Sequence, residues 1–170
     1  RLKVDLDNVS KDVENSLNWT EDRFNQAILV LNMLNSETLP NSKIKDFEGH
    51  LKSYFKFQIT MQNTTAYEEM LSSGDLSLIK NEWLRNEFAN LSEERDFIME
   101  VNQINHAAYK TNMEIMQKHI QYQIQNTDTD STKVKVKYDF DAMVKDNLFI
   151  NQISNQAYTW YDILRMYKSH

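Results

Sequence analysis

Three side chains that can bind a soft metal ion follow one another at intervals of three residues: Met113, Met116 and His119. At this spacing they share one face of a helix, and thioether and imidazole groups are ligands of Cu(I). Methionine also fills gaps in hydrophobic cores. We interpret the pattern as core packing with a histidine at its edge, and we predict no metal site and no cofactor.

Oxygen-bearing side chains alternate between positions 126 and 132, as the first ligands of a calcium-binding loop do: Asn126, Asp128, Asp130 and Thr132. An EF-hand loop also needs glycine at its sixth position and glutamate at its twelfth. Those positions hold Ser131 and Lys137. Because half of the pattern is missing, we predict a polar loop between two elements.

The sequence lacks the residue patterns of common enzymes. Di-metal bundles need Glu-x-x-His pairs, and no histidine stands in one: His50, His106, His119 and His170. There is no cysteine, and Gly49 and Gly74 form neither a phosphate-binding loop nor a nucleophile-bearing turn. The adjacent acids Glu68–Glu69 and Glu93–Glu94 would point about 100° apart on a helix. We therefore predict that the protein is not an enzyme and has no catalytic residues.

Lysine alternates with apolar residues along positions 133–138, which is a strand-like period. The row of Lys133, Lys135 and Lys137 can contact phosphate or an acidic partner. A lone strand has nothing to pair with, so we predict an extended segment laid on the helices, with its lysines in solvent. The net charge of −6 argues against nucleic acid as a partner.

Polar residues lie on or near the apolar stripe of the third predicted helix: Asn102, Asn105, His106 and Asn112. Buried polar side chains must be paired. They either fix the register of neighbouring helices or line a cavity for a small molecule, and the sequence leaves both alternatives open.

Helices are the elements that must position these residues. Two glycines and one proline in 170 residues are too few for sandwiches, barrels or doubly wound sheets. Apolar residues make up 41% of the chain, which is enough for one sizeable core. We predict an all-α fold: an antiparallel bundle of about four long helices with one or two short extra segments, in a single domain spanning residues 1–170.

The first predicted helix starts at Leu2, spans about 33 residues and ends near Asn35–Ser36, because Pro40 and its polar neighbours cannot continue it. Its predicted stripe is Leu2, Leu6, Val9, Val13, Leu17, Phe24, Ile28, Leu31 and Leu34. No capping residue precedes Leu2, so we expect this helix to continue upstream. No apolar run is long enough to span a bilayer, so we expect any membrane anchor to lie upstream as well.

The second helix is predicted to begin at a cap formed by Asn41 or Ser42. It bends or breaks at residues 62–65, and the sequence does not decide between the two. Gly74 then follows a periodic segment directly, where a helix needs a residue with positive φ.

The third predicted helix is the longest, over residues 82–125, and Asn81 caps it. A last helical region follows the extended segment. Asp139 or Asp141 is its predicted cap, and the sequence allows either one continuous helix or a break near Ser154.

Residues 70–85 contain a Leu-Ser-Ser-Gly turn, an apolar pair, an Asn and a Leu-Arg that opens a long helix: Leu71, Ser72, Ser73, Gly74, Leu76, Ile79, Asn81, Leu84 and Arg85. This pattern, with a weaker likeness at residues 144–153, resembles a family of uncharacterised, membrane-anchored proteins of Bacteroidetes-type bacteria. Members usually carry one N-terminal membrane helix, followed at once by a domain like this one. The resemblance implies a periplasmic or otherwise extracytoplasmic domain, and it implies no site residues.

These observations together predict a non-enzymatic, extracytoplasmic helical bundle of a membrane-anchored protein. We expect it to act by protein–protein contacts, in assembly or signalling. The partner would be another protein or a second copy, for example in a homodimer through the first helix, and not nucleic acid. The alternative is a sensory bundle that binds a small molecule between helices near His106.

Overall fold

The computed structural model describes residues 2–53, 65–124 and 134–169, and these are mostly helical. The elements are α1 (Leu2–Asn35), α2 (Ile44–Ser53), α3 (Thr65–Ser73), α4 (Glu82–Met116), β1 (Ile120–Ile124), β2 (Val134–Tyr138), α5 (Phe140–Met143) and α6 (Asn147–Ser169). The prediction of a mainly helical protein is confirmed, with one small sheet in addition.

The chain forms two compact units, and the two longest helices contribute to both. The first unit contains Arg1–Asn18 and Gln58–Asn105, and the second contains Trp19–Phe57 and His106–His170. The single domain spanning residues 1–170 stays a prediction.

The first unit has a small core around Phe88 of α4, which is buried. Four partly buried apolar side chains pack against it: Val13, Leu76, Ile79 and Leu84. Leu76 and Ile79 belong to the connector between α3 and α4, so the connector is held against the helices that it joins.

The ends of this connector are as predicted. Gly74 has a φ of +78°, the left-handed conformation that glycine adopts without a steric penalty. Asn81 caps α4, since its Oδ1 accepts the backbone N–H of Leu84 at 3.2 Å. A 3-10 turn over Asp75–Leu78 fills the interval between them.

The second unit has the larger core, with buried apolar residues from helices and both strands. They include Ala27, Val30, Leu34, Phe47, Leu51, Ile120, Val136, Met143, Phe149, Ile153, Trp160 and Ile163. Phe47 lies at the meeting point of three elements. Its ring centroid is 5.2 Å from that of Tyr138 and 5.4 Å from that of Phe140, both edge-on.

The predicted helix over residues 82–125 is wrong at its end. The helix stops at Met116, and residues 120–124 form a strand that pairs antiparallel with residues 134–138. The register runs from Ile120 opposite Tyr138 to Ile124 opposite Val134. The predicted lone extended segment is therefore wrong too, because it is one strand of a hairpin. The sequence Ile-Gln-Tyr-Gln-Ile alternates with period two and carries the β-branched and aromatic residues that favour strands.

Other helix boundaries agree with the sequence to different degrees. The first helix ends at Asn35, as predicted. The second begins at Ile44, later than predicted, after a 3-10 turn over Asn41–Lys43. The predicted bend or break at residues 62–65 lies outside the described residues, except that α3 begins at Thr65.

The last helical region is broken, but not near Ser154. The break is at residues 144–146, between α5 and α6, and α6 runs through Ser154 without interruption. Asp139 caps α5 as predicted, because its side chain accepts the backbone N–H of Ala142 at 3.0 Å. The break itself is explained by Asp146, which caps the helix that follows it.

Candidate functional site

The Asp146 carboxylate accepts four hydrogen bonds in the second unit. Its Oδ1 accepts the backbone N–H groups of Leu148 at 3.0 Å and Phe149 at 3.2 Å, at the start of α6. Its Oδ2 accepts hydrogen bonds from Lys118 Nζ at 2.6 Å and His119 Nε2 at 2.7 Å. We call Lys118, His119 and Asp146 the Asp146 clasp, because they join the turn after α4 to the turn before α6.

The geometry of this clasp follows from how α4 ends. The backbone N–H groups of Lys118 and His119 bond the carbonyls of Ile115 and Met116, which closes a tight turn and places both side chains towards Asp146. The imidazole then packs edge-on against the buried Phe149 ring, with 5.2 Å between centroids. Local turn geometry and a core aromatic residue therefore fix the position of His119.

The electrostatics keep Asp146 ionised. Hydrogen bonds from Lys118 and His119, and then the bond from the backbone N–H of Phe149, hold the pKa of Asp146 well below its usual range. The negative charge also lies at the N-terminus of α6, where the helix dipole favours it. With four donors on its two oxygens, this carboxylate is engaged as a structural acceptor and is poorly suited to take a proton from a substrate.

The structure does not place Met113, Met116 and His119, which the sequence spacing puts together, on one helix face. Met116 is buried at the last position of α4, Met113 is half-buried one turn earlier, and His119 lies beyond the helix with Nε2 on Asp146. Within the described ranges, no group of three His, Asp or Glu side chains is arranged to hold a metal ion. The calcium-like row at 126–132 lies outside the described residues.

The polar residues near the stripe of the third helix have different environments. Asn102 and Asn105 are half-buried, whereas His106 is exposed and so does not belong to a buried seam. The side chain of Asn112 lies outside what the structure describes. The Oδ1 atom of Asn105 is buried, and no described group bonds it.

Arg23 is a buried cation that the sequence reading missed. Its Nη1 donates to the carbonyl oxygen of Ser53 at 2.7 Å, at the end of α2, and its Nη2 donates to Asp22 Oδ2 at 2.8 Å. The guanidinium lies 5.5 Å from the centre of the Trp19 ring. A cation at a helix C-terminus satisfies a free carbonyl and complements the dipole, so Arg23 ties α1 to α2.

The buried face of α1 is rotated from the predicted stripe. The side chains of Leu2, Leu6 and Val9 lie outside what the structure describes. Among the described side chains of α1, the buried ones are Ser16, Thr20, Arg23, Ala27, Val30 and, alone from the predicted stripe, Leu34. Their spacing alternates between four and three, but the first three are polar, which hides the pattern in the sequence. Ile28 was predicted to be in the stripe and is exposed.

This rotation leaves aromatic and apolar side chains on the surface of the second unit. The Tyr161 ring lies 6.0 Å from that of Phe24 and 6.2 Å from that of Tyr158. The Arg165 guanidinium lies 6.0 Å from the Tyr161 ring centre, and Ile28 follows Phe24 by one turn. Tyr158 is 63% exposed and Tyr161 is 44% exposed. We call these five residues the aromatic surface.

The first unit also exposes large apolar side chains, near the connector between α3 and α4. Leu71, Leu78 and Trp83 are all more than half exposed, although Leu76 and Ile79 beside them are packed inward. The aromatic surface is the stronger candidate for a binding surface, because ring contacts join Phe24, Tyr161 and Tyr158 and the Arg165 guanidinium lies beside Tyr161.

None of the described helices is long and apolar enough to cross a membrane. No family model, curated protein or solved structure matches this chain. The resemblance to the membrane-anchored family therefore stays a prediction. The aromatic surface is a candidate binding site on the ground of its geometry alone.

Proposed function

We propose that this protein is a non-enzymatic helical module that acts by protein–protein contacts, and that its aromatic surface binds a second copy of the chain. The observation that carries the proposal is a run of three rings, from half-buried Phe24 through Tyr161 to Tyr158, in which both tyrosines and the neighbouring Arg165 are exposed. Tyr and Arg are the residue types enriched in the central contacts of protein interfaces.

The energetic reason is the apolar area that remains in water. A helical protein with a well-formed core gains nothing from holding two tyrosine rings and Ile28 outside it. Covering them in an interface removes apolar area from water, which is worth roughly 25 cal/mol per Å² before the cost of association is subtracted.

Charge complementarity favours a second copy as the occupant. Glu21 is exposed on α1, one turn before Phe24, whereas Arg165 and Lys168 are exposed on α6. A two-fold contact places residue i of one copy against residue j of the other, and j against i. Glu21 of each copy would then face Arg165 of the other, so that two symmetry-related pairs form, one on either side of the tyrosines.

The finer architecture and the cellular location are parts of the proposal. An antiparallel bundle of about four long helices is supported by three described helices of more than twenty residues, α1, α4 and α6. Display outside the cytoplasmic membrane, on an upstream anchor, rests on the family resemblance alone.

The test is light scattering over a range of protein concentrations. We expect wild-type mass to rise with concentration. We expect the double variant Tyr158→Ser/Tyr161→Ser to stay monomeric while its circular dichroism stays unchanged. Leu148→Ser is the matched control, because Leu148 is equally exposed on the same helix but outside the aromatic surface. A wild-type protein that stays monomeric, or a double variant that associates as well as wild type, would contradict the proposal.

A second candidate function, a sensory bundle for a small molecule, is favoured by one observation. The buried Oδ1 of Asn105 has no hydrogen-bond donor among the described groups, and a buried acceptor of this kind calls for a partner, which a small molecule could supply. A thermal-shift screen with small polar metabolites tests this function. A compound that raises the midpoint of the wild type but not of Asn105→Leu would support it, and the absence of any such compound would leave self-association as the function.

A further inference from the structure

The aromatic surface continues into exposed charged side chains on both of its helices. On α1, Glu21 precedes Phe24 by three residues, and on α6, Arg165 and Lys168 follow Tyr161 by four and seven. Residues at these spacings share one face of a helix. All three charged side chains are exposed. The surface therefore ends in a negative charge on α1 and in positive charges on α6.

Neither Glu21 nor Arg165 has an ion-pair partner within the described part of its own chain. The Arg165 guanidinium lies 6.0 Å from the centre of the Tyr161 ring, and the centre of that ring lies 6.0 Å from that of Phe24. A guanidinium carries five N–H donors in one plane, and a carboxylate accepts two of them side by side. Tyr161 thus lies beside a cation whose donors have no acceptor among the described groups.

We propose that Glu21 and Arg165 determine which partner the aromatic surface accepts, because each pairs with the other residue in a second copy. This inference rests on the proposed function, since it assigns roles within the same contact. A two-fold contact forms both pairs at once. A partner without a carboxylate at this place would cover Arg165 and leave it unpaired, which disfavours binding. The rings supply the area of the contact, and the two charges supply its specificity.

Reversing one charge tests this assignment, because it puts like charges opposite each other at both places in a dimer of the variant. Two guanidinium groups meet at each place in Glu21→Arg, and two carboxylates meet in Arg165→Glu. A mixture of the two variants restores an opposite pair at each place. Each reversal changes the net charge of −6 by two, to −4 in Glu21→Arg and to −8 in Arg165→Glu. Net repulsion therefore falls in Glu21→Arg and still opposes the mixture, so it predicts neither the loss nor the rescue.

The experiment is sedimentation equilibrium of the full chain, with each variant alone and with the two variants in equal amounts. We expect the association constant of each variant alone to be lower than that of wild type by about tenfold or more, and that of the mixture to lie within about threefold of wild type. Circular dichroism should be unchanged, because both residues are exposed. The matched control is Glu114→Arg, which makes the same change in charge at an exposed residue of the second unit outside the aromatic surface. It should associate much as wild type does.

A further variant removes both pairs without changing the net charge. Glu21→Gln/Arg165→Gln keeps the net charge at −6, so any general repulsion between copies is the same as in wild type. Salt screens ion pairs, since the Debye length falls from about 10 Å at 0.1 M to about 3 Å at 1 M. Between these concentrations of NaCl, the association constant of wild type should decrease relative to that of the double variant.

Three results would overturn the assignment of Glu21 and Arg165: a reversed variant that associates as strongly as wild type, a mixture that associates no better than its components, or the same salt dependence in wild type and the double variant. In each of them the wild type still associates, so self-association through the rings stands. A wild-type protein that stays monomeric would instead contradict the proposed function, and this inference with it.

Discussion

Removal of the Phe47 ring should lower the free energy of unfolding of the second unit by more than a substitution on its surface does. Phe47 is 0% exposed, and its ring makes edge-on contacts with Tyr138 of β2 and Phe140 of α5. The side chain therefore joins α2 to the hairpin and to the start of the last helical region. We expect Phe47→Ala to loosen all three contacts at once.

The size of the effect follows from the cavity. Phenylalanine to alanine in a closed core costs about 3–5 kcal/mol in free energy of unfolding, because transfer energy and a residual void add together. The two aromatic contacts place the change in the upper part of that range. Since folded domains are stable by about 5–15 kcal/mol in total, this is a large fraction of the stability. Phe47→Leu should cost less, about 1–2 kcal/mol, because it leaves a smaller void.

The assay is urea unfolding followed by tryptophan fluorescence in a Trp83→Phe background. The remaining tryptophans, Trp19 and Trp160, both belong to the second unit, so the signal reports that unit alone. Leu148→Ala is the control, because Leu148 is 59% exposed and should cost less than about 0.5 kcal/mol. A loss below about 1 kcal/mol for Phe47→Ala would refute the reasoning, since it would mean that no closed core surrounds the ring.

Three further predictions concern charge and backbone conformation. Burial lowers the pKa of His50, against the opposing pull of Asp46 and Asp22. As the pH falls, His50 therefore takes up its proton at a higher pH in the unfolded state than in the folded state, so the free energy of unfolding should fall below about pH 6.5. In His50→Gln the urea midpoint should depend less on pH in that range. The pKa of Asp146 is also lowered, so its contribution is full above about pH 4 and is lost at lower pH; Asp146→Asn should remove that acid-dependent part while keeping a cap on α6. Gly74→Ala should cost about 1 kcal/mol in a thermal melt, because φ is positive there although the space is open, and its failure to destabilise would contradict the left-handed turn.

Helix ends could be predicted where one or two neighbouring residues decide them. Gly74 supplies positive φ, Asn81 supplies a capping oxygen, and Pro40 prevents continuation of α1, and all three effects are local. The strand at 120–124 was missed for a related reason. Its isoleucines also fit the end of a helical stripe, and the strand with which it pairs begins only at Val134, so the period alone favoured the longer helix.

The clasp and the buried face of α1 could not be predicted in the same way. Asp146 is 27 residues from His119 in sequence, and only the packed turns bring the two side chains within 2.7 Å. The sequence predicts Arg23 to be a surface residue, because buried cations are rare. Its partner, the carbonyl oxygen of Ser53, belongs to another helix and cannot be identified from local sequence. The buried face could have been found from the alternating spacing of Thr20, Arg23 and Ala27, but only by allowing polar residues at buried positions.

Self-association through the aromatic surface is tested most directly by an intermolecular distance. The chain has no cysteine, so Asn155→Cys, one turn before Tyr158, gives a unique site for a spin label. We expect pulsed electron paramagnetic resonance to show a defined intermolecular distance that disappears on dilution with unlabelled protein and in a Tyr161→Glu background. Labelled protein without intermolecular coupling, or coupling that survives Tyr161→Glu, would contradict the proposal that two copies meet at these rings.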